Sequence, residues 1–353
     1  MLVHIIGTRP QYIKAAVVIS ALKRAGANML VVDTGQHYDP EMSAEIWMNF
    51  EMSPPDIVIQ TAEYEKNDPY KISEGIITEL SGKNISSVIV YGDTNSALAG
   101  AMAAMHLGLP LVHIEAGLRS FNQEMPEESN RIIIDQNSSV LFCPSETAKD
   151  NLLKEKIKGE IILCGDVMYD AFLFAGNRIR SASQPEIPVK GKYILLTIHR
   201  LQNTEDSKKL MHLLDAMNRA PHPVIWPVHP RIKNAKELLE NRKNIHPLPP
   251  QDYFHMHQLI YHCEVVCTDS GGLQKEAYWA KKPCVTLRED TEWVETLHDN
   301  WNILAGDDKE KILNALRQVP DIGTWIPLYT GNPTEIIVSS LMKYEKEGFP
   351  VIK

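Results

Sequence analysis

Short, uninterrupted apolar runs alternate with longer helical patterns along both halves of this chain, and that alternation restricts the fold more than any other feature. In the first half, Leu2–Ile6, Met29–Val32, Ser87–Tyr91, Leu111–Ile114, Ser139–Phe142 and Ile161–Leu163 read as strands. Between them Ile13–Ala25, Ser43–Asn49, Tyr70–Ser81, Ser96–Leu107, Arg131–Asn137 and Glu146–Glu155 read as helices. A strand on the surface of a sandwich would alternate polar and apolar residues. These runs do not, which suits parallel strands covered on both faces. Strands and helices taking turns at this spacing predict an α/β fold with a doubly wound parallel sheet.

A polar stretch at Asn177–Lys192 reads as a link, after which the pattern resumes. Tyr193–Thr197, Pro223–Pro227 and Val265–Thr268 are the expected strands, and Thr204–Asn218, Gln274–Ala280, Lys309–Gln318 and Thr334–Tyr344 the expected helices. At 353 residues the chain suits two cores better than one. The expected organisation is therefore two Rossmann-like domains, residues 1–175 and 190–330, facing across a cleft, with a final helical segment at 331–353. Ligands of such sheets bind beyond the carboxyl ends of the strands, so the polar residues that follow strands are the ones to inspect.

Bulk properties remove several classes of function. A net charge of −9 lacks the basic footprint of a nucleic-acid surface, so no nucleic-acid partner is expected. Met1–Ile6 runs straight into Gly7, Arg9 and Pro10, too short for the apolar core of a signal peptide. No apolar stretch approaches the ~20 residues of a membrane span, so a soluble protein with no membrane partner is expected. The cysteines, Cys143, Cys164, Cys263, Cys267 and Cys284, form neither a disulfide nor a zinc pattern and read as reduced cytoplasmic thiols.

Two strand–glycine–helix junctions stand out. Gly7-Thr8-Arg9-Pro10 follows the first strand, with Lys14 one turn into the next helix. Asp269-Ser270-Gly271-Gly272 follows Val265–Thr268, with a helix expected near Leu273 and Glu276 about one turn inside it. Helix N-termini after glycine turns hold anions through backbone N–H groups, and Arg9 adds a forked partner for phosphate. Ser270 with the amides of Gly271 and Gly272 is suited to phosphate oxygens, and Glu276 to ribose hydroxyls. Two such junctions in a two-domain chain suggest a nucleoside diphosphate.

Acidic residues occupy the strand ends between them. Asp93 follows Ser87–Tyr91, Glu115 follows Leu111–Ile114, and Glu127 lies in MPEESNR, read as a loop entering a helix near Asn130. Carboxylates at successive strand ends are suited to acid–base work. Structurally, Asp93 could instead cap a helix and Glu115 could pair with Arg119 or Arg131. His199-Arg200 follows Tyr193–Thr197 and suits an anionic leaving group. His37 follows Met29–Val32 as a plausible sugar contact, whereas His229 reads as peripheral.

Taken together, GTRPQYIK (7–14), TGQHYDPEM (34–42), YGDTNSALAGA (91–101), HIEAGLRSF (113–121), MPEESNRIIIDQ (125–136), TIHRLQN (197–203), PVHPR (227–231) and DSGGLQKEA (269–277) resemble the non-hydrolysing UDP-N-acetylglucosamine 2-epimerases in order and over nearly the whole chain. The resemblance implies a GT-B-like fold whose C-terminal helix crosses back onto the first domain, a UDP-sugar substrate, a homodimer, and no metal or other cofactor. It implies inversion at C2 by anti elimination of UDP and its re-addition. Asp93, Glu115, Glu127 and His199 match the catalytic positions. Arg9, Ser270, Gly271, Gly272 and Glu276 match the UDP-binding ones, with Lys14, His37, Arg131 and Arg200 as further substrate contacts.

The chain departs from the commoner pattern at TEWVE (291–295), where Trp293 stands in place of an arginine, and at Gln202, where Glu is usual. GTRPQ and TEWVE also resemble a sister branch acting on UDP-2,3-diacetamido-2,3-dideoxy-glucuronic acid. HYDPEM replaces the HREM of members regulated by a second substrate molecule. A GT-B glycosyltransferase would need an acceptor site and no such set of carboxylates; an inactive UDP-sugar binding protein would not need Asp93, Glu115, Glu127 and His199 intact.

Overall fold

A computed structural model describes residues 1–36, 46–60, 67–122, 125–179, 186–317, 322–328 and 331–351. The chain divides into two compact units, Met1–Ala171 with Tyr329–Lys353, and Phe172–Leu328. The division falls inside a helix, Val167–Ile179, that the sequence reading did not identify and that runs into the expected linker.

The first unit is built on a 7-stranded parallel sheet. Its strands are β1 (Leu2–Ile6), β2 (Met29–Asp33), β3 (Ile57–Val58), β4 (Ser87–Tyr91), β5 (Leu111–Ile114), β6 (Val140–Cys143) and β7 (Glu160–Leu163). Their order, β3-β2-β1-β4-β5-β6-β7, reverses between β1 and β4. The strands β1, β4, β5 and β6 are buried along their whole length, as helices on both faces require, while β7 at the edge is not. The helix Asn95–Leu107 lies close on the sheet because its face is made of Ala and Gly; a Cβ at Gly100 would stand 2.8 Å from Val90. Close packing of this kind removes water from apolar surface and is worth about 25 cal/mol per Å2 buried. The C-terminal helix Pro333–Glu347 belongs to this unit. Ile337 and Leu341 are buried, Thr334 N donates to Asp170 (2.7 Å), and Glu345 receives Ser86 Oγ (3.0 Å) and pairs with the Met1 amine (3.4 Å).

The second unit repeats the plan with a 6-stranded parallel sheet of order β10-β9-β8-β11-β12-β13. Its strands are β8 (Ile194–Thr197), β9 (Val224–Pro227), β10 (Ile245–Leu248), β11 (Val265–Thr268), β12 (Cys284–Thr286) and β13 (Asn302–Leu304). Successive residues serve opposite faces. Ile194 and Leu196 join a cluster with Leu213, Trp226 and Ile312, whereas Tyr193 and Leu195 join Leu259, Ile260 and Ala277. Strands feeding two cores at once explain why no polar alternation marks them. The fold class is thus α/β with two Rossmann-like domains.

Several boundaries differ from the sequence reading for identifiable reasons. The first helix is Arg9–Arg24, starting earlier than Ile13, because Gln11 Oε1 accepts from the amides of Gly7 (2.9 Å) and Thr8 (3.2 Å) and Pro10 is tolerated in the first turn. The single helix expected at Thr204–Asn218 is broken into Leu201–Thr204 and Ser207–Asn218, since the Asp206 carboxylate caps the second by accepting from Lys208 and Lys209 amides. The expected helix Ser43–Asn49 lies partly outside the described residues. The cysteines are free and buried, and among the described residues no helix is long and apolar enough to cross a membrane.

Candidate active site

In the first unit the strand order reverses between β1 and β4, and the carboxyl ends of β1, β4 and β5 meet there. Gly7 begins the turn after β1; a side chain here would overlap Thr34 Oγ1 and Ser96 Oγ, which hydrogen-bond each other at 2.7 Å. The Gln11 amide ties this turn to the next strand by donating to Tyr91 O (2.9 Å). Arg9, in the helix's first turn, is half-buried.

Asp93 does not cap the following helix. Thr94 does, accepting from Ala97 N (3.3 Å), and the Asp93 carboxylate pairs with Arg131 at 2.5 Å. Asn130 holds the same residue by donating to Asp93 O (2.9 Å). The Glu115 carboxylate contacts the Lys14 ammonium, both side chains being largely buried. Burial alone would push the Lys14 pKa down, but contact with Glu115 and the nearby Asp166 and Asp93 overrides it and raises the pKa, so Lys14 keeps its charge. Lys14, read from the sequence as a substrate contact, here meets the Glu115 carboxylate. The backbone of Glu115 is left-handed (φ 76°), and the amides of Glu115 and Ala116 both donate to Phe142 O. Left-handed backbone outside glycine costs on the order of 1–3 kcal/mol and gathers at functional sites.

Glu127 is not in a loop. The helix starts at Pro126, placing Glu127 exposed in its first turn, where proline needs no N–H partner. The adjacent Glu128, which the sequence reading passed over, is buried and accepts from Ser120 N (2.9 Å), Ser120 Oγ (2.9 Å), Phe121 N (3.0 Å) and Arg131 Nη1 (2.8 Å). Burial would raise its pKa, yet these donors hold it below the usual carboxylate range. Beneath lies a fully buried group: His113 Nε2 donates to Gly92 O (2.9 Å), His113 Nδ1 meets Asp135 (2.7 Å), and Asp135 also accepts from Gly117 N (3.2 Å) and Arg119 (2.7 Å). One helix, Pro126–Gln136, thereby fixes the ends of both β4 and β5.

In the second unit the order reverses between β8 and β11. His199 and Arg200 follow β8, and the Asp269-Ser270-Gly271-Gly272 turn follows β11. The helix begins at Gly271, not near Leu273, with Ser270 as its cap accepting from Leu273 N (3.4 Å). Gly271 and Gly272 therefore sit in the first turn, where the N–H groups have no partner within the helix and favour an anion. Arg200 approaches Glu292 (3.4 Å), which Arg288 holds at 2.9 Å. Burial would raise the Glu292 pKa, but Arg288 and Arg200 hold it low. Glu276 is largely buried on the same helix, 3.9 Å from His257 Nε2. Lys275 lies 3.6 Å over the Trp293 ring, a stacked cation that an arginine at 293 would repel. His229 is half-buried, its Nδ1 accepting from Arg231 N (3.3 Å), with its ring 6.1 Å from that of His199. His37 lies outside the described residues. Among the described residues no cluster of His, Cys, Asp and Glu could hold a metal ion.

The first unit sets the Glu115–Lys14 and Asp93–Arg131 pairs at neighbouring strand ends, with Arg9 in the first turn after β1, and the second sets His199 and Arg200 after β8 and the Ser270-capped helix start after β11. Each unit thus presents charged side chains where its strand order reverses. The UDP-N-acetylglucosamine 2-epimerase family profile matches residues 20–337, and the chain belongs to that family. It is 42% identical to a UDP-N-acetylglucosamine 2-epimerase homolog of Methanococcus maripaludis, over 89% of this chain and 91% of that one. It is 40% identical to the UDP-2,3-diacetamido-2,3-dideoxy-D-glucuronate 2-epimerase of Pseudomonas aeruginosa, over 89% and 90%. Its fold matches the crystal structure of Methanocaldococcus jannaschii UDP-GlcNAc 2-epimerase in complex with UDP-GlcNAc and UDP, with a TM-score of 0.88 and 34% identity, over 97% and 99%.

Proposed function

We propose that the chain interconverts UDP-N-acetylglucosamine and UDP-N-acetylmannosamine by inverting the configuration at C2. The observation that carries this reading is the pairing of Asp93 with Arg131 and of Glu115 with Lys14 at the ends of neighbouring strands in a chain of this family. The C2 proton has no adjacent carbonyl to acidify it, so cleavage of the C1–O bond must run ahead. As that bond breaks, its electron pair passes to the β-phosphate oxygen, and cations and N–H groups there stabilise the developing charge. His199, Arg200, Ser270 and the first-turn amides of Gly271 and Gly272 fill that role, while Glu276 accepts from the ribose hydroxyls.

A carboxylate among Asp93, Glu115 and Glu127 takes the C2 proton, and the C–H electrons form the C1=C2 bond of a 2-acetamidoglucal. Another of the three returns a proton to C2 from the opposite face, and the UDP oxygen re-forms its bond to C1. Arg9 and Arg131 are substrate contacts in this reading, which carries with it a cytoplasmic homodimer, tested by light scattering. A second substrate, UDP-2,3-diacetamido-2,3-dideoxy-glucuronate, is favoured by the relative from Pseudomonas aeruginosa that is 40% identical and bears that name. Anion-exchange chromatography after incubation with each sugar nucleotide decides. Conversion of UDP-N-acetylglucosamine to its C2 epimer is expected, conversion of the uronate alone selects the second substrate, and conversion of neither overturns the reading.

A further inference from the structure

Asp269 directly follows β11 with its side chain completely buried. A carboxylate there would be expensive unless compensated, and His199, Arg200 and Asn203 present donors to it. Its oxygens accept from His199 N (3.1 Å), Arg200 N (3.0 Å) and Asn203 Nδ2 (3.0 Å), and one lies 2.9 Å from His199 Nδ1. Burial pushes the Asp269 pKa up, but the His199 contacts and the Asn203 and Arg200 hydrogen bonds prevail and hold it below the usual carboxylate range. An ionised carboxylate can only accept, so the nitrogen that faces it carries the hydrogen. That leaves His199 Nε2 as the free end of a ring whose side chain is 39% exposed.

We propose that Asp269 is the positioning residue of the site: it fixes the His199 imidazole as the Nδ1–H form and turns Nε2 outward to the ligand. The arrangement follows the logic by which a buried carboxylate sets the tautomer and orientation of a catalytic histidine. The same carboxylate also fastens the His199–Arg200 turn through its amides, so one group sets where the ring stands and which nitrogen it offers. This assignment rests on the reading of His199 as the group beside the diphosphate.

Long-range 1H–15N correlation spectra of the full-length protein, labelled with 15N-histidine and assigned with His199→Gln, read the tautomer without any turnover. At a pH where the ring is neutral, His199 is expected as the Nδ1–H form in the wild type and as the Nε2–H form in Asp269→Asn. An Nε2–H ring in the wild type, which needs no variant to fold, overturns the proposal whatever the substrate proves to be. Kinetics supply the second arm. Asp269→Asn is expected to lower kcat by roughly 100-fold or more, and to lower it no further in a His199→Gln background. Losses that multiply in the double variant would reduce Asp269 to a structural cap of the turn. If the wild type shows the expected tautomer but turns over no UDP-sugar, the epimerase reading fails and the Asp269–His199 pairing stands.

Discussion

His4 lies in the middle of β1 with no exposed surface, its Nδ1 2.8 Å from the Tyr91 hydroxyl. Its Nε2 is buried with no hydrogen-bond partner. Desolvation disfavours the charged ring and pushes its pKa down to about 3. An unfolded histidine titrates near ~6.5, so across this interval the unfolded chain binds a proton that the folded chain refuses. The stability His4 permits is fully present above the unfolded value and is lost as pH falls towards the folded one, at about 1.4 kcal/mol per pH unit. Moving from pH 6.5 to 4.5 should therefore cost roughly 2–3 kcal/mol through this residue alone. His4→Leu removes the titration. At pH 7 the variant should be less stable by about 1–3 kcal/mol, since the buried Tyr91 hydroxyl loses its partner, and the gap should close or reverse by pH 4.5. Urea unfolding of both proteins at pH 7, 5.5 and 4.5, followed by circular dichroism, measures this, and other histidines cancel in the difference. With slopes of about 1–3 kcal/mol per molar urea, the wild-type midpoint should fall by roughly 1 M more than the variant's. Parallel midpoints across the range would refute the reasoning.

Three further outcomes follow from the site. Lys14→Met strips the buried Glu115 of its cation and should lower kcat by about 100-fold or more while UDP still binds; calorimetric titration and initial rates separate the two effects. Gly7→Ala inserts a methyl group against Thr34 Oγ1 and Ser96 Oγ and should destabilise the fold by about 1–3 kcal/mol, read as a lower urea midpoint. Glu276→Gln should weaken UDP binding by about 10-fold or more, the worth of a hydrogen bond to a charged group, with a smaller change in kcat.

The central strands were legible because covering both faces of a parallel sheet leaves β1, β4, β5, β6, β8, β9 and β11 mostly apolar, with His4 in β1 and His113 in β5 as buried exceptions. Four strands at or near the sheet edges were not, although the edge strand β7 was. Ile57–Val58 is two residues long, Ile245–Leu248 contains Pro247, which only an edge strand tolerates, and Cys284–Thr286 and Asn302–Leu304 carry no distinctive pattern. These segments are strands because of the neighbours they meet. The site divides the same way. Residues that follow strands directly, such as Asp93, Glu115, His199 and Ser270, could be picked out by position. Their partners could not, because Lys14 meets Glu115 and His199 meets Asp269 only after the sheets bring distant strand ends together. Asp269 stood in plain view as a lone acid between a buried strand and two glycines, a position where burial without a partner is untenable; that signal could have found it.

Proton NMR of the protein with UDP-N-acetylglucosamine in D2O tests the central claim most directly. The account predicts that the C2 proton washes out while the anomeric signal of UDP-N-acetylmannosamine grows and no free sugar accumulates. UDP that binds while C2 never exchanges, with either UDP-N-acetylglucosamine or the diacetamido uronate as substrate, would contradict it.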